Sequence, residues 1–410
     1  AMVVFLIDLI VFCFLLSFIL YLLVFKMKIN IFGSTGVIGK KTLELINKDF
    51  TNIKINLICA KSNYQLLKKQ IYKYNPKYAF LYDMDKLPKI NYKINKTKIL
   101  NFNELKNYLL ESKSDLTVLA ISGYKSLYYL ESIIQNTDYL GLANKESIVS
   151  AGHLFKKKKY FSKTNIFPLD SEHFSLYDFF NKTNQNKNNI NKILLTASGG
   201  PFYKRKFNDL KKITFSQAIN HPKWKMGYKN SIDSATLVNK CLELIEAHYL
   251  FDIPFKKIDI LIHPDAIVHS AIEYKNYITH FNLFKNDMKI PILNFLLISK
   301  YKNDLIKKNQ YTLNYNHLNF YKVENETFPI YKFFKNIDKD IPQNLIKFNV
   351  GNEYAVNLFK NNKINYTDIY KIIKKVTSLN LYSSVNTIND IINYHEEIEQ
   401  NLSKFKLYSN

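Results

Sequence analysis

From Lys28 onward the chain alternates between short apolar-rich runs and stretches where apolar residues return every three or four positions. Lys28–Phe32, Ile53–Ala60, Leu116–Ile121 and Tyr139–Ala143 have the length and composition of buried strands. Gly33 to Gly39 reads as a tight turn, and Lys40–Asn47 and Tyr64–Tyr72 carry the helical period. Strands and helices in this order predict an α/β fold with a Rossmann-type, doubly wound parallel sheet, ending near Ser150. A further strand, Ile193–Ala197, precedes Ser198-Gly199-Gly200-Pro201, and one long amphipathic helix is expected over Ser234–Phe251. Beyond about residue 325 only helices are expected: Asn352–Phe359, Tyr366–Lys375 and Thr387–Ser403. The layout is therefore an apolar leader (1–26), a sheet domain (27–150), a central α/β domain (151–290), a polar connection (291–325) and a C-terminal helical domain (326–410).

The leader differs in kind. Val3–Phe25 is a nearly unbroken apolar run, interrupted mainly by Asp8 and Ser17, and long enough to span a bilayer as a helix. Lysines follow it (Lys26, Lys28) and none precede it, which would leave the rest of the chain on the cytoplasmic side. Met27 abuts the first strand, so the leader is expected to be dispensable, with an N-terminal membrane anchor as the alternative.

Composition changes the picture in two ways. With 58 Lys and Arg against 34 Asp and Glu the net charge is +24, a balance that suggests nucleic acid. Yet Arg205 is the only arginine, the lysines are scattered, and Asn, Ile, Tyr and Phe abound, as an AT-rich genome dictates. The charge reads as a solvated lysine surface and no nucleic-acid partner is expected. Any bound phosphate must be held by Lys, Ser, Asn and backbone N–H groups. The three cysteines, Cys13, Cys59 and Cys241, form no CxxC pair, which excludes a disulfide scaffold or a cysteine-ligated zinc.

Three constellations carry chemistry. Gly33-Ser34-Thr35-Gly36-Val37-Ile38-Gly39 lies between a strand and a helix: Gly33 for the turn, Gly36 for backbone approach to a pyrophosphate, Gly39 for close packing. The second strand ends at Ala60-Lys61-Ser62 with no acid for a ribose 2′-hydroxyl, so Lys61 and Ser62 favour NADP over NAD. In Asp170-Ser171-Glu172-His173, read as extended, the two carboxylates project to one side. With Glu243 or Glu246 they make a hard oxygen site for Mg²⁺ or Mn²⁺, and spacing does not choose between those glutamates. The third is His221 to Gly227 followed by Asp233 to Glu243, with Asp233 or Ser234 expected as helix cap. Asn239, Lys240 and Glu243 share an arc of about 100° on that helix, where phosphate donors and a metal ligand would sit together. Trp224, the only tryptophan, is either core or a lid, and His221, His263 and His269 taken singly read as structural.

Taken together these motifs resemble the 1-deoxy-D-xylulose 5-phosphate reductoisomerase family from Lys28 to the C-terminus. The resemblance rests on the glycine turn, Ala143-Asn144-Lys145-Glu146-Ser147, Pro168 to His173, Ala197 to Phe202, His221 to Gly227, Asp233 to Thr236, Asn239-Lys240, Glu243 to His248 and His263 to His269. It implies NADPH-dependent isomerisation and reduction of that phosphosugar to 2-C-methyl-D-erythritol 4-phosphate, by retro-aldol/aldol rearrangement and then hydride transfer, with Mg²⁺ or Mn²⁺. It implies that Asp170, Glu172 and Glu243 hold the metal, with Glu246 left out. Lys145, Ser171, Glu172, His221, Trp224, Met226 and Glu243 would meet the substrate, and Ser198, Ser234, Asn239 and Lys240 its phosphate. NADPH would lie on Gly33, Ser34, Thr35, Gly36, Val37, Ile38, Ala60, Lys61, Ser62, Asn144, Glu146, Gly227 and Met288, within an NADPH-binding domain at 27–150. The catalytic set would be Lys145, Asp170, Glu172, His173, His221, Trp224, Glu243 and His263, and a loop of about 203–227 would close over the substrate. A homodimer in a bacterial cytoplasm is implied, with a plastid-type organelle as the alternative. Val37, Ala60 and Cys241 depart from the family's usual residues, and no group the chemistry needs is lost. The rival readings are another Rossmann oxidoreductase with a cysteine nucleophile, and a membrane-tethered basic binding protein.

Overall fold

The computed structural model describes residues 27–86, 93–158, 163–183, 187–224, 226–299 and 317–404, so the apolar leader lies outside the described residues. Eight strands form the first sheet: β1 (Met27–Phe32), β2 (Ile53–Ala60), β3 (Tyr78–Leu81), β4 (Lys93–Ile94), β5 (Thr97–Leu100), β6 (Ser114–Leu119), β7 (Thr137–Leu142) and β8 (Asn165–Pro168). Their order is β4-β5-β3-β2-β1-β6-β7-β8, parallel except at β4. Ile29 lies opposite Ile55 on one side and Leu116 on the other.

Both faces of this sheet are buried, which is why its strands read as apolar runs rather than alternations. Ile29 and Ile31 pack with Leu43 and Ile46 of the helix Val37–Asp49, while Phe32 and Leu57 pack with Leu105 and Leu130 on the opposite face. The strand order reverses between β1 and β6, and in open α/β sheets the crevice at such a point receives the ligand.

The sheet continues to Pro168, past the boundary expected near Ser150. The stretch expected as a polar connection opens with a buried helix, Lys289–Leu296, whose Ile292, Phe295 and Leu296 join the cluster of Leu43 and Ile46. Pro291 sits in its first turn, where a missing N–H costs nothing.

Five strands form a second sheet: β9 (Ile190–Ala197), β10 (Ile258–Ile262), β11 (Val268–Tyr274), β12 (Thr279–Leu283) and β13 (Tyr321–Lys322), ordered β12-β11-β9-β10-β13. Only β9 and β10 run parallel. The helices Pro329–Asn336, Pro342–Lys360, Asp368–Thr377 and Ile388–Ser403 follow, the second extending well upstream of the expected Asn352–Phe359. Among the described residues no helix is long and apolar enough to cross a membrane.

Two local expectations are corrected. The single helix over Ser234–Phe251 is two helices, Tyr228–Thr236 and Val238–Phe251, broken at Leu237, which adopts left-handed φ 68°. Asp233 and Ser234 are therefore not N-caps. Asp233 accepts instead from Lys229 Nζ at 2.7 Å and from Asn352 Nδ2 at 2.8 Å. The Asp170–His173 stretch is not extended either: Ser171 opens the helix Ser171–Thr183, and the Asp170 carbonyl accepts from Phe174 N–H at 2.8 Å. Asp170 Oδ1 also accepts from Glu172 N–H, the pattern by which a short acidic side chain starts a helix.

Candidate active site

The C-terminal ends of β1, β7, β8 and β9 converge with the helices Tyr228–Thr236 and Val238–Phe251 on a cavity of about 550 Å³. One small residue makes the convergence achievable. Gly152, in the helix Lys145–Lys158, lies so close to Tyr249 that a Cβ there would overlap its ring. The helix Lys145–Lys158 thus packs closely on Val238–Phe251, and Lys145 reaches Glu243.

Asp170, Glu172 and Glu243 each offer a carboxylate oxygen, and these atoms lie within 4.8 Å of one another. Lys145 Nζ donates to Asp170 and, at 2.9 Å, to Glu243 Oε1. Lys240 Nζ donates at 2.5 Å to both Glu172 Oε1 and Glu243 Oε2, and Asn239 Nδ2 also donates to Glu243. Burial would lower the pKa of Lys145, but Asp170, Glu243 and Glu246 outweigh it and hold the ammonium well above its ordinary range. Burial, followed by the charge of Asp170, pushes the Glu243 carboxyl up. Three carboxylates against two ammonium groups leave a net negative charge, and the donors are hard oxygens. That set fits a divalent cation such as Mg²⁺.

His173 stands behind this cluster. Its Nε2 donates to the Glu243 carbonyl at 2.9 Å, and its Nδ1 faces Asp170 Oδ1 at 3.4 Å and Glu246 Oε2 at 3.6 Å. Burial opposes its protonation, but Glu246 and Asp170 prevail and raise its pKa to about 9. Burial also lifts Glu246 to about 7. His173 therefore positions two of the carboxylates rather than lining the cavity.

At the opposite wall His221 organises a cup of hydroxyls. Its Nδ1 accepts the N–H groups of Lys223 (3.2 Å) and Trp224 (2.9 Å), which assigns the proton to Nε2. That Nε2 lies 2.9 Å from Ser198 Oγ and 3.1 Å from Ser234 Oγ. Burial, reinforced by the charge of Lys240, lowers its pKa to about 4, so the ring is neutral. Both serine oxygens can accept from it and keep their own protons for an incoming anion.

The residues expected to meet the cofactor fall largely into two cavities. Val37, Ile38, Gly227 and Met288 line the large one with Trp224 and Met226, while Gly33, Thr35, Gly36, Ala60 and Lys61 line a neighbouring cavity of about 280 Å³. Gly33 has φ 88°, and a Cβ there would overlap the Ala120 carbonyl, so the turn requires glycine. The helix Val37–Asp49 begins with no side-chain cap and no acid in its first turn, leaving its N–H groups available to an anion.

Several expected residues lie elsewhere. Ser34 is fully buried and donates to Gln70 Oε1 at 2.8 Å, so its hydroxyl is structural. Ser62 lines neither cavity. Asn144 is buried and knits Ile121, Glu146 and Ser147 together. His263 is buried after β10, with Nδ1 on the Asn319 carbonyl and its ring stacked on Phe320, outside the cavity lining. Cys59 and Cys241 are buried thiols whose pKa values burial raises, which removes any nucleophile setting. The structure adds Lys41, Asn230, Asn286 and Asp287 to the large cavity and Tyr82, Ser122, Lys125 and Tyr129 to the smaller. Lys41 was detectable, lying one turn into the helix after the glycine turn; the others carry no local signal.

Comparison with known proteins agrees along the chain. The family "1-deoxy-D-xylulose 5-phosphate reductoisomerase" matches residues 29–152, its C-terminal domain family matches 166–251, and "DXP reductoisomerase C-terminal domain" matches 283–401. A 1-deoxy-D-xylulose 5-phosphate reductoisomerase of Thermodesulfovibrio yellowstonii is 37% identical over 89% of this chain and 95% of its own length. One from Clostridium tetani is 38% identical over 85% and 91%. Among solved structures, the Zymomonas mobilis reductoisomerase in complex with NADPH superposes with TM-score 0.79 at 29% identity, covering 93% of this chain and all of that one. A DOX-P reductoisomerase holding NADPH, fosmidomycin and magnesium gives 0.80 at 29%, over 92% and 97%.

Proposed function

The chain belongs to the 1-deoxy-D-xylulose 5-phosphate reductoisomerase family, and from that premise we propose how its own residues carry out the NADPH-dependent conversion of 1-deoxy-D-xylulose 5-phosphate to 2-C-methyl-D-erythritol 4-phosphate. The observation that carries this reading is the meeting, in one cavity, of three carboxylates from two segments with a neutral cup of hydroxyls and the open start of the helix after the glycine turn.

Asp170, Glu172 and Glu243 would hold a divalent cation, which when bound supplies Lewis acidity toward the substrate's carbonyl and adjacent hydroxyl. The residues around the glycine turn would hold NADPH, which would supply the hydride for the reduction that follows the retro-aldol/aldol rearrangement. Lys145 and Lys240 donate from the cavity wall toward developing negative charge and toward the phosphate. Ser198 and Ser234, oriented by His221, turn their protons to the phosphate and fix the substrate far from its reacting carbons. His221 also gathers the backbone of Lys223 and Trp224, so Trp224 and Met226 form the wall that excludes water. Thr35, Gly36 and the helix start receive the cofactor's phosphates, and Lys61 its 2′-phosphate.

NADPH oxidation followed by absorbance with 1-deoxy-D-xylulose 5-phosphate and Mg²⁺ or Mn²⁺ tests the assignment. Activity should appear with metal and vanish with chelator; a folded, NADPH-binding protein that oxidises none would overturn it.

The quaternary state and location belong to the same reading. β12 is an edge strand whose Phe281 is exposed, next to Ile278 and a 99% exposed Tyr277, and this open edge supports a homodimer. Light scattering at micromolar concentration should return twice the chain mass. We place the enzyme in a bacterial cytoplasm with residues 1–26 dispensable for catalysis, and tight membrane retention on cell fractionation would count against this.

A further inference from the structure

Outside the metal cluster, acidic groups from three parts of the chain converge on one lysine. Lys229, in the first turn of the helix Tyr228–Thr236, places Nζ 2.7 Å from Asp233 Oδ2 and 3.4 Å from Glu146 Oε1. Its side chain is only 18% exposed, and those of Glu146 and Asp233 only 7% and 1%. Asn352, from the long C-terminal helix, donates to the other oxygen of Asp233 at 2.8 Å. Glu353 faces the same cluster, where burial lifts its pKa to about 7 against the pull of Lys229.

Each partner adjoins a residue of the site. Glu146 follows Lys145, Asp233 precedes Ser234, and Lys229 itself lies two residues after Gly227. Glu146 is held at both oxygens, with Asn144 Nδ2 donating to Oε2 at 2.9 Å and Lys229 facing Oε1. A carboxylate oxygen accepts more than one donor, so this hold leaves capacity for a hydroxyl of a ligand. An exposed lysine paired four residues along a helix contributes only a few tenths of a kcal/mol. Lys229 does more than that: it bridges the start of the helix Lys145–Lys158, the segment carrying Trp224 and Gly227, and, through Asp233, the C-terminal helices.

We propose that Lys229 is a positioning residue for the NADPH side of the site: its ammonium holds one oxygen of Glu146 in place and ties that carboxylate to the helix carrying Ser234. This rests on the reading, given above, that Glu146 faces NADPH. Without the ammonium, one oxygen of Glu146 loses its partner, the carboxylate is held only through Asn144, and its aim at a ribose hydroxyl is lost.

The test is NADPH binding to the full chain and to Lys229→Met and Lys229→Arg, followed by quenching of Trp224 fluorescence below each protein's melting temperature. Lys229→Met should bind NADPH about tenfold more weakly, and Lys229→Arg should recover most of that loss. KM for NADPH should rise by the same factor with kcat changed less than about threefold. A purely structural lysine would lower the melting temperature and leave Kd unchanged, so variants binding within twofold of wild type overturn the proposal. If Lys229→Met fails to fold, Lys229→Gln, which keeps a donor without the charge, decides on the same criterion. A folded wild-type protein that does not bind NADPH overturns this proposal and the reading beneath it together.

Discussion

Replacing Glu243 with glutamine keeps the side chain's shape and removes one negative charge from the centre of the cavity. Glu243 is 1% exposed and accepts from Lys145, Lys240 and Asn239. With the carboxylate present, the three acids exceed the two lysines by one charge; with the amide, the excess is gone. At an effective dielectric of 20, a unit charge about 4 Å from a dication is worth about 8 kcal/mol. The retained amide oxygen can still ligate, so about half should be lost, weakening the metal roughly a thousandfold. Titration calorimetry with Mn²⁺ and Mg²⁺ measures this directly, alongside NADPH oxidation. Glu246→Gln is the control. Glu246 is buried beside His173 and does not line the cavity, so its variant should keep metal affinity within about threefold. Equal losses in both variants, or full metal affinity in Glu243→Gln, would refute the ligand assignment.

Ser234→Ala deletes a hydroxyl 3.1 Å from His221 Nε2 and should raise KM for the phosphosugar by about ten- to a hundredfold, the range for a hydrogen bond to a charged group, with NADPH affinity unchanged. Gly33→Ala puts a methyl group into the Ala120 carbonyl at φ 88°, and should cost about 1–3 kcal/mol in urea unfolding while weakening NADPH more than tenfold. Stability should also fall in mild acid. His395 is fully buried, stacked on Tyr124, and burial depresses its pKa to about 3, whereas the unfolded side chain titrates near 6.5. The unfolded state therefore binds the extra proton between those values, and the stabilisation present above about pH 6.5 is lost as pH falls, by about 2 kcal/mol at pH 5. Urea unfolding at pH 7 and pH 5 reads this, and a His395→Asn variant retaining the full slope would exclude His395 as the cause.

What could be read in the chain was what is local. Apolar runs, the glycine turn and the absence of an acid after β2 each announce themselves within ten residues, and β1, β2, β6 and β7 follow from them; the short strands β3, β4, β5 and β8 did not stand out. Asp170, Glu172 and Glu243 were recognisable as metal-binding types, but spacing could not separate Glu243 from Glu246, because which of them lines the cavity depends on how the helix Val238–Phe251 is turned against its neighbours. The break at Leu237 was invisible, since leucine in a left-handed conformation leaves no mark in composition. The helix Lys289–Leu296 was hidden for a related reason: its apolar face is explained only by the distant Leu43 and Ile46. Lys229 and Lys125 are two of many lysines, and only the fold distinguishes them.

Lys240 carries a consequence for the energetics of assembly. One ammonium is shared between Glu172 and Glu243, and the same charge is felt at His221 in the hydroxyl cup. On the proposed assignment, a cation held by the carboxylates would take over their neutralisation and free that ammonium's field for the phosphate. Metal and phosphosugar would then be thermodynamically linked, each tightening the other by an equal factor, whichever binds first. In a chain with a single arginine, sharing one lysine between the two proposed sites would let a neutral cup hold a dianion more tightly once the metal is in place.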